Sequence, residues 1–317
     1  MMRAGDPSSS LISVIMPCYN AEHTVADSVA SALGQTHRAL ELIVIDDGSR
    51  DESLQLLRKI DDPRLKIETQ PNQGVCAARN RGLSLAQGGY VAFLDADDTW
   101  SPEALERLFL TLEANPGAAL AYCGWQNLGL PGDRGEPFIP PEYENPTKVE
   151  VLLQNCRWPI HAALTRRWAI DEARGFDPRY PTSEDFLLWL RIGTRHKIVR
   201  VPEVLAYYHH HEGERATANP ARVARNHWLV QQAFLKERPE IAAQLGRRRV
   251  REITDGMLLA KGYACYWHRE MEPAREIFRM VMKNGYGSAK DWTCMLPSLL
   301  PLSLHRALVC TIDRVGG

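Results

Sequence analysis

Three groups of acidic residues have the type and spacing to do chemistry. Asp46-Asp47-Gly48-Ser49 follows an apolar run, LELIVI, and the glycine permits a tight turn that leaves two carboxylates at the end of a strand. Asp95-Ala96-Asp97-Asp98 follows a second run, YVAFL. Three carboxylates so close together repel one another unless a cation or hydrogen-bond donors neutralise them. Their hard oxygens suit Mg2+ or Mn2+, and Mg2+ is commonly held by one or two carboxylates together with substrate phosphates. Glu184-Asp185 opens a helical stretch, where a carboxylate within reach of a hydroxyl acts as a general base. Each group also has a plainer reading. Turn and cap chemistry accounts for the first, and the helix dipole stabilises acids in the first turn of the third. Capping of the following helix accounts for one aspartate of the second group, Asp98, and leaves the others over.

Further residues fit a nucleoside diphosphate. Pro17-Cys18-Tyr19-Asn20 ends the first strand, where Tyr19 is placed to stack on a base, and Arg79 in AARNRG to meet a base or phosphate. His209-His210-His211, with Glu212 and Arg215 after them, offer a metal ligand or a pyrophosphate contact. Three adjacent histidines do not make a zinc site, because neighbours on a strand point to opposite faces. No G-x-G-x-x-G follows the first strand, no G-x-x-x-x-G-K-[ST] is present, and no G-x-S-x-G elbow occurs. A dinucleotide enzyme, a P-loop NTPase and an elbow-type hydrolase are thereby set aside.

These residues need elements to carry them. LISVIM (11–16), LELIVI (40–45), LKIET (65–69), YVAFL (90–94) and ALAYC (119–123) read as strands by length and β-branched or aromatic content. Helical stretches lie between them. In AEHTVADSVASALGQ, Val25, Val29 and Leu33 form one apolar stripe, and Pro102 suits the first turn of the helix in PEALERLFLTLEA. Alternating strands and helices imply an α/β, doubly wound, mainly parallel sheet with helices on both faces. Ligands in such sheets sit beyond the carboxyl ends of the strands, here after Met16, Ile45 and Leu94. Residues 126–146, rich in Pro and Gly, read as a loop over the site. A helix near 147–156, the helix LLWLRIG and two strand-like runs, KIVRV and EVLAYYH, follow. After about Pro220 the pattern is purely helical, and AKGYACYWHREMEPAREIFRMVMKNG resembles one tetratricopeptide-like helix pair without a second copy. A helical cap is the simpler account of that region.

The 317 residues carry a formal net charge of -1, which gives no phosphate-tracking excess of Lys and Arg and argues against nucleic acid as a partner. Arg247, Arg248, Arg249 and Arg251 read as a solvated helix face. Seven cysteines, scattered singly with no C-x-x-C pair, suit a reducing, cytoplasmic setting. No stretch reaches the ~18 apolar residues of a membrane span. The Leu/Pro-rich tail, Trp292 to Leu304 and then LHRALVCTIDR, offers peripheral contact with the inner face of a cell membrane, a buried C-terminal helix being the plainer alternative.

Taken in order, SVIMPCYNAEHTVADSVASALGQTHRALELIVIDDGSRDESL, NQGVCAARNRGLSLAQGGYVAFLDADDTWSPEAL, SEDFLLWLRI and EVLAYYHHH resemble family 2 glycosyltransferases of the GT-A fold, over about residues 11–215. The resemblance implies a disordered N-terminus (1–10), a catalytic domain (11–218, a nucleotide-binding half to 125 and an acceptor half beyond it) and a helical region (219–317). It implies that Pro17, Tyr19 and Asn20 lie at the base and ribose, with Asp46, Asp47 and Arg79 nearby. Asp95-Ala96-Asp97 would be the DxD element, Asp95 near the ribose and Asp97 on Mg2+ or Mn2+, with His211 as a further metal or diphosphate contact. Asp185, beside Glu184, would be the catalytic base. The implied enzyme is an inverting hexosyltransferase that moves sugar from a nucleotide-diphosphate donor, a UDP-sugar by expectation, to a glycan or lipid-linked acceptor in cell-envelope polysaccharide synthesis. His209 stands where related sequences often carry Arg, which weakens the inference for that loop. The Q-x-x-R-W motif of processive members is absent. Two alternatives remain: a non-catalytic sugar-nucleotide-binding scaffold of an assembly complex, suggested by the helical end, and a nucleotidyltransferase, which PCYNAEH disfavours because it is neither Gly-rich nor basic.

Overall fold

The computed structural model describes residues 10–130, 132–210 and 219–306. His211, Glu212, Arg215, all but the last residue of the expected disordered N-terminus, and the tail beyond Arg306 lie outside the described residues. Two compact units emerge, one comprising Met1–Arg179 with Leu187–Glu212, the other Tyr180–Phe186 with Gly213–Gly317.

The first unit is built on one sheet of eight strands: β1 (Ile12–Cys18), β2 (Leu40–Asp46), β3 (Leu65–Thr69), β4 (Tyr90–Phe93), β5 (Thr99–Trp100), β6 (Ala118–Leu128), β7 (Ala163–Arg166) and β8 (Lys197–His209). Their spatial order is β3-β2-β1-β4-β7-β6-β8-β5. β3, β2, β1 and β4 run parallel. β7 is antiparallel to both β4 and β6, so β6 again runs with β4, and β8 pairs parallel to β6. The carboxyl ends of six strands therefore meet one rim, and only β5 and β7 are reversed. The chain between β6 and β7 consequently departs from that rim and returns to it.

The apolar runs form strands because both faces are covered. β2 and β4 are buried throughout, as is all of β1 except Pro17. Helix α1 (Val25–Leu33) turns Val25, Val29, Ala32 and Leu33 inward. α2 is Ser53–Arg58, and α3 (Val75–Leu85) packs so closely on β1 that a Cβ at Gly82 would lie 2.4 Å from Ile15 Cγ2. α4 is Ala104–Glu113, and Pro102 precedes it by two residues instead of lying in its first turn. α5 (Lys148–Gln154) and α6 (Arg167–Ala173) complete the set, and α7 (Glu184–Gly193) begins in the segment that clusters with the second unit.

The mainly parallel α/β class is borne out, with corrections in the second half. KIVRV and EVLAYYH are one strand, β8, whose pairing with β6 shifts register around Ala118–Leu120 and Tyr122–Trp125. Pro202 sits within β8, where those shifts leave it unpaired with β6. Residues 126–128, expected in a loop, belong to β6, and Trp125 exchanges both backbone hydrogen bonds with Phe138, at 2.9 and 2.8 Å.

The second unit holds α8 (Pro220–Glu237), α9 (Pro239–Trp267), α10 (Met271–Lys283) and α11 (Ala289–Met295). Asn219 caps α8 by accepting from Arg222 N at 3.0 Å. Gly246, at φ 77°, breaks α9. Buried Leu258, Ala274, Ile277, Phe278, Val281 and Met295 form the core here. Arg248 faces solvent and Arg249 partly so, both paired with Glu252. Arg251, expected on the same solvated face, is largely covered, pairing with Asp255 and donating to the Asn284 and Gly285 carbonyls. Met295, Ser298 and His305 are buried, and Arg275 and Arg279 donate to the Leu300 and Ser298 carbonyls. The tail as far as Arg306 is thus anchored at these points, while Leu296, Leu299, Leu300 and Leu304 remain exposed. Among the described residues no helix is long and apolar enough to cross a membrane.

Candidate active site

Strand register brings the sequence groups to one rim. Cys18 pairs with Asp46 across β1 and β2, and Ile15 pairs with Phe93 across β1 and β4. The chain therefore leaves three adjacent strands at Tyr19, Asp47 and Leu94.

After β1, Tyr19 is 47% exposed, an uncovered aromatic face. Asn20 takes φ 49°, in the left-handed region that asparagine tolerates. Its backbone N–H donates to Ser49 Oγ at 3.0 Å, and its side-chain oxygen accepts from Arg50 N at 2.8 Å. Asn20 thus sews the loop after β1 to the loop after β2. Pro17 is half-buried at the end of β1.

Asp46 and Asp47 are buried. The Asp47 carboxylate accepts from Gln70 Nε2 (2.8 Å), Gln73 N (3.0 Å) and Gly74 N (2.8 Å). Gly48 makes that fold possible: its φ is 77°, and a Cβ would come within 3.0 Å of Asn72 N. Asp47 therefore anchors the 70–74 segment as well as lining the rim, and Asp46 accepts from Ser49 N at 3.4 Å.

Arg79, on α3, is 3% exposed. Its guanidinium donates to Asp95 Oδ1 at 2.6 Å and lies 5.3 Å from the Phe176 ring centroid. The next residue, Asn80, exchanges hydrogen bonds with both the N–H and the carbonyl of Phe176. Arg79 is thus held beneath the rim by Asp95, and any contact with a nucleotide would share it with that carboxylate.

The Asp95–Asp98 turn is closed by Asp98 N donating to Asp95 O at 3.1 Å. Ala96 is buried, whereas Asp97 reaches solvent. Enough protein surrounds the Asp97 carboxyl that desolvation, and then the charges of Asp95 and Asp98, push its pKa up to about 7. Asp98 is no helix cap, contrary to expectation, since α4 starts after Glu103. Its Oδ1 accepts from His209 N at 3.0 Å, and its Oδ2 lies 3.0 Å from His161 Nδ1. His161 is fully buried. Burial pulls its pKa down, but the charge of Asp98, with Asp95 and Asp97 behind it, holds it above the ordinary imidazole range. Nothing in RWPIHAAL marks this histidine in the sequence.

Glu184 and Asp185 open α7 in the segment that belongs to the second unit. Glu184 is buried, and Asp185 is half-buried and accepts from Phe186 N at 2.7 Å. Phe186 stacks on His227 of α8 at 4.3 Å and 8°. This segment is therefore fixed by α8.

Among the described residues no three His, Cys, Asp or Glu side chains converge into a metal cage. What the rim offers is an open donor set, Asp97 with Asp95. Its clustered carboxylates, Asp95, Asp97 and Asp98 within four residues, fit a divalent ion whose coordination is completed by phosphate oxygens.

An open, mainly parallel sheet with aspartates at the carboxyl rim of its strands is the GT-A architecture, and solved structures share it. The crystal structure of Staphylococcus aureus TarS 1-349 in complex with UDP-GlcNAc matches with a TM-score of 0.60 at 18% identity, over 90% of each chain. The mannosyltransferase PcManGT from Pyrobaculum calidifontis, in complex with GDP-Man and Mn2+, matches with a TM-score of 0.52 at 17% identity, over 93% of this chain and 86% of that one. The model for glycosyl transferase family 2 matches residues 13–180, more than half of the chain, and the chain belongs to that family. Its sequence is 33% identical over 183 residues to the UDP-Glc:alpha-D-GlcNAc-diphosphoundecaprenol beta-1,3-glucosyltransferase WfgD of Escherichia coli, covering 57% of this chain and 69% of that protein. The protein is a glycosyltransferase that takes its sugar from a nucleotide-sugar donor, so the scaffold and nucleotidyltransferase alternatives fall away. The family match stops at residue 180, short of Glu184-Asp185.

Proposed function

We propose that the chain transfers a hexosyl group from a UDP-sugar to a hydroxyl of a glycan or lipid-linked acceptor in one inverting displacement. The observation that carries this reading is geometric: adjacent parallel strands β2, β1 and β4 deliver Asp47, Tyr19 and the Asp95-Ala96-Asp97 turn to one rim, with Asp97 exposed at the exit of β4. The E. coli relative, whose name specifies a UDP-Glc donor and a diphosphoundecaprenol-linked acceptor, supports the UDP-sugar and the lipid-linked acceptor.

In this reading Asp97, with Asp95, holds Mg2+ or Mn2+. The ion supplies Lewis-acid stabilisation of the charge that develops on the departing diphosphate. Tyr19 offers an exposed ring for the nucleobase, while Asn20, Asp46 and Asp47 set the shape of the rim around it. Arg79 fixes one oxygen of Asp95 and so limits its rotation. Asp185 takes the proton of the acceptor hydroxyl as that oxygen attacks the anomeric carbon, with Glu184 beside it. His211 is the further contact assigned to the diphosphate or metal. The inner face of a cell membrane is the setting that suits a lipid-linked acceptor.

Two variants test the division of labour. Asp97→Asn is expected to abolish the gain in UDP affinity that metal confers, read by calorimetry with and without Mn2+. Asp185→Asn is expected to bind UDP as the wild type does and to lose about 10²- to 10⁴-fold in transfer rate. Near-normal turnover by the Asp185 variant would remove the base assignment.

A further inference from the structure

The residue that links the acidic turn to the rest of the sheet is one that the proposed chemistry does not use. His161 lies in a short turn, Ile160–Ala162, just before β7. Its backbone carbonyl accepts from Trp100 Nε1 at 2.7 Å, and its ring stacks on Tyr208 of β8, centroids 5.9 Å apart. The ring nitrogen Nδ1 faces Asp98 Oδ2 at 3.0 Å, with His161 0% and Asp98 1% exposed. The second Asp98 oxygen takes the N–H of His209, at the end of β8, and Thr99 Oγ1 meets His209 Nε2 at 2.8 Å.

One Asp98 oxygen is thus held by the His209 N–H, the other lies 3.0 Å from the His161 ring as a buried ion pair without an aligned hydrogen bond, and the Asp98 N–H closes the turn onto Asp95. Fixing its side chain fixes the peptide that carries Asp97. Replacing both partners of a buried ion pair by well-packed apolar residues is often neutral or better, whereas removing one leaves the other's charge buried and destabilises the fold. Geometry is what such a pair supplies. Groups that orient a metal ligand from behind typically matter about 10- to 100-fold in metal affinity or activity.

The structure assigns His161 a positioning role: through Asp98 it fixes the Asp95–Asp98 turn so that Asp97 presents its carboxylate to the donor's diphosphate and its divalent ion. This rests on Asp97 being the metal ligand of the proposed transfer reaction.

The test uses the full chain and the apolar variants His161→Phe and His161→Leu, each checked for folding by circular dichroism. UDP and uridine binding are measured by calorimetry with and without Mn2+. Hydrogen exchange of the 94–101 segment is followed in metal-free protein. The expected result is a loss of about 10-fold or more in Mn2+-dependent UDP affinity, uridine binding within about twofold of wild type, and faster exchange in 94–101. In turnover, the apparent KM for Mn2+ rises while kcat at saturating metal changes little. His161→Gln, whose amide can donate to Asp98, recovers most of the loss. A folded apolar variant whose Mn2+-dependent UDP affinity stays within about twofold of wild type overturns the assignment. So does failure of both apolar variants to fold, which would make the pair a stability element. If the wild type gains no UDP affinity from metal, the Asp97 reading itself fails, and the comparison of variants is not what reveals it.

Discussion

Arg79 and Asp95 form a 2.6 Å ion pair in which the arginine side chain is 4% exposed and the aspartate 28%. The guanidinium lies against the Phe176 ring, so the charge of Asp95 is balanced by a buried arginine. Breaking such a pair leaves the carboxylate facing a vacated apolar recess. Arg79→Met is expected to cost about 2 kcal/mol, below the range for fully buried pairs because Asp95 keeps some water. Urea unfolding checks it, and a loss under half that figure would mean the pair is decorative.

Asp97 carries the opposite consequence. Its carboxyl is raised from 3.8 to about 7. The folded state therefore holds the proton more tightly than the unfolded state between those values. This group's contribution to stability falls as pH rises through that window and stays low above it. Asp97→Asn is expected to melt above wild type at pH 8 in chelator, with the gap closing towards pH 4. A gap independent of pH would show that burial and like charge at Asp97 are not its source.

The same proton competes with metal. Mn2+-dependent UDP affinity of the wild type is expected to rise with pH up to about 7 and then level off. Calorimetry across pH 5.5 to 8.5 is the check, and a flat profile would count against Asp97 as the ligand.

Tyr19, almost half exposed, is the aromatic face assigned to the base. Tyr19→Ala is expected to weaken both uridine and UDP by about 1–3 kcal/mol, the scale of base–aromatic stacking, while Tyr19→Phe stays near wild type. Equal binding by all three would leave the nucleobase without a platform.

Gly82 reports on the scaffold. With only 2.4 Å between a built Cβ and Ile15 Cγ2, Gly82→Ala forces α3 away from β1 or Ile15 out of its rotamer. The expected cost is about 1–3 kcal/mol, seen as a lower urea midpoint, with UDP binding weakened because Arg79 rides on α3. An unchanged midpoint would show that the sheet yields freely there.

What can be read from the sequence follows from burial. β1, β2 and β4 are covered on both faces, so each appears as a continuous apolar run, and the rim residues after them can be placed by topology alone. β5, two residues long, and β7, four, have no room to develop a period. They are strands because neighbours are present to pair with, which is a tertiary fact. Of the rim, Asp97 is legible as an acid in surplus. The partners are not: Asp98 reads as a cap and is held by His161 and His209, and Arg79 reads as a ligand group and is held by Asp95. These pairings join residues 16 to 111 positions apart, beyond the reach of any local pattern. The tail's apolar residues are visible, but which of them face inward depends on the α10 arginines that hold their carbonyls.

The excursion between β6 and β7 has an unusual freedom. Both of its feet stand on the same edge of the sheet, and among the described residues between Gly129 and Glu136 none pairs with β6 or β7. Residues could be added or removed there without disturbing the alignment of a single strand or moving Asp97. Changes of length there would be absorbed locally, and the register of the sheet that carries the acidic rim would be left as it was.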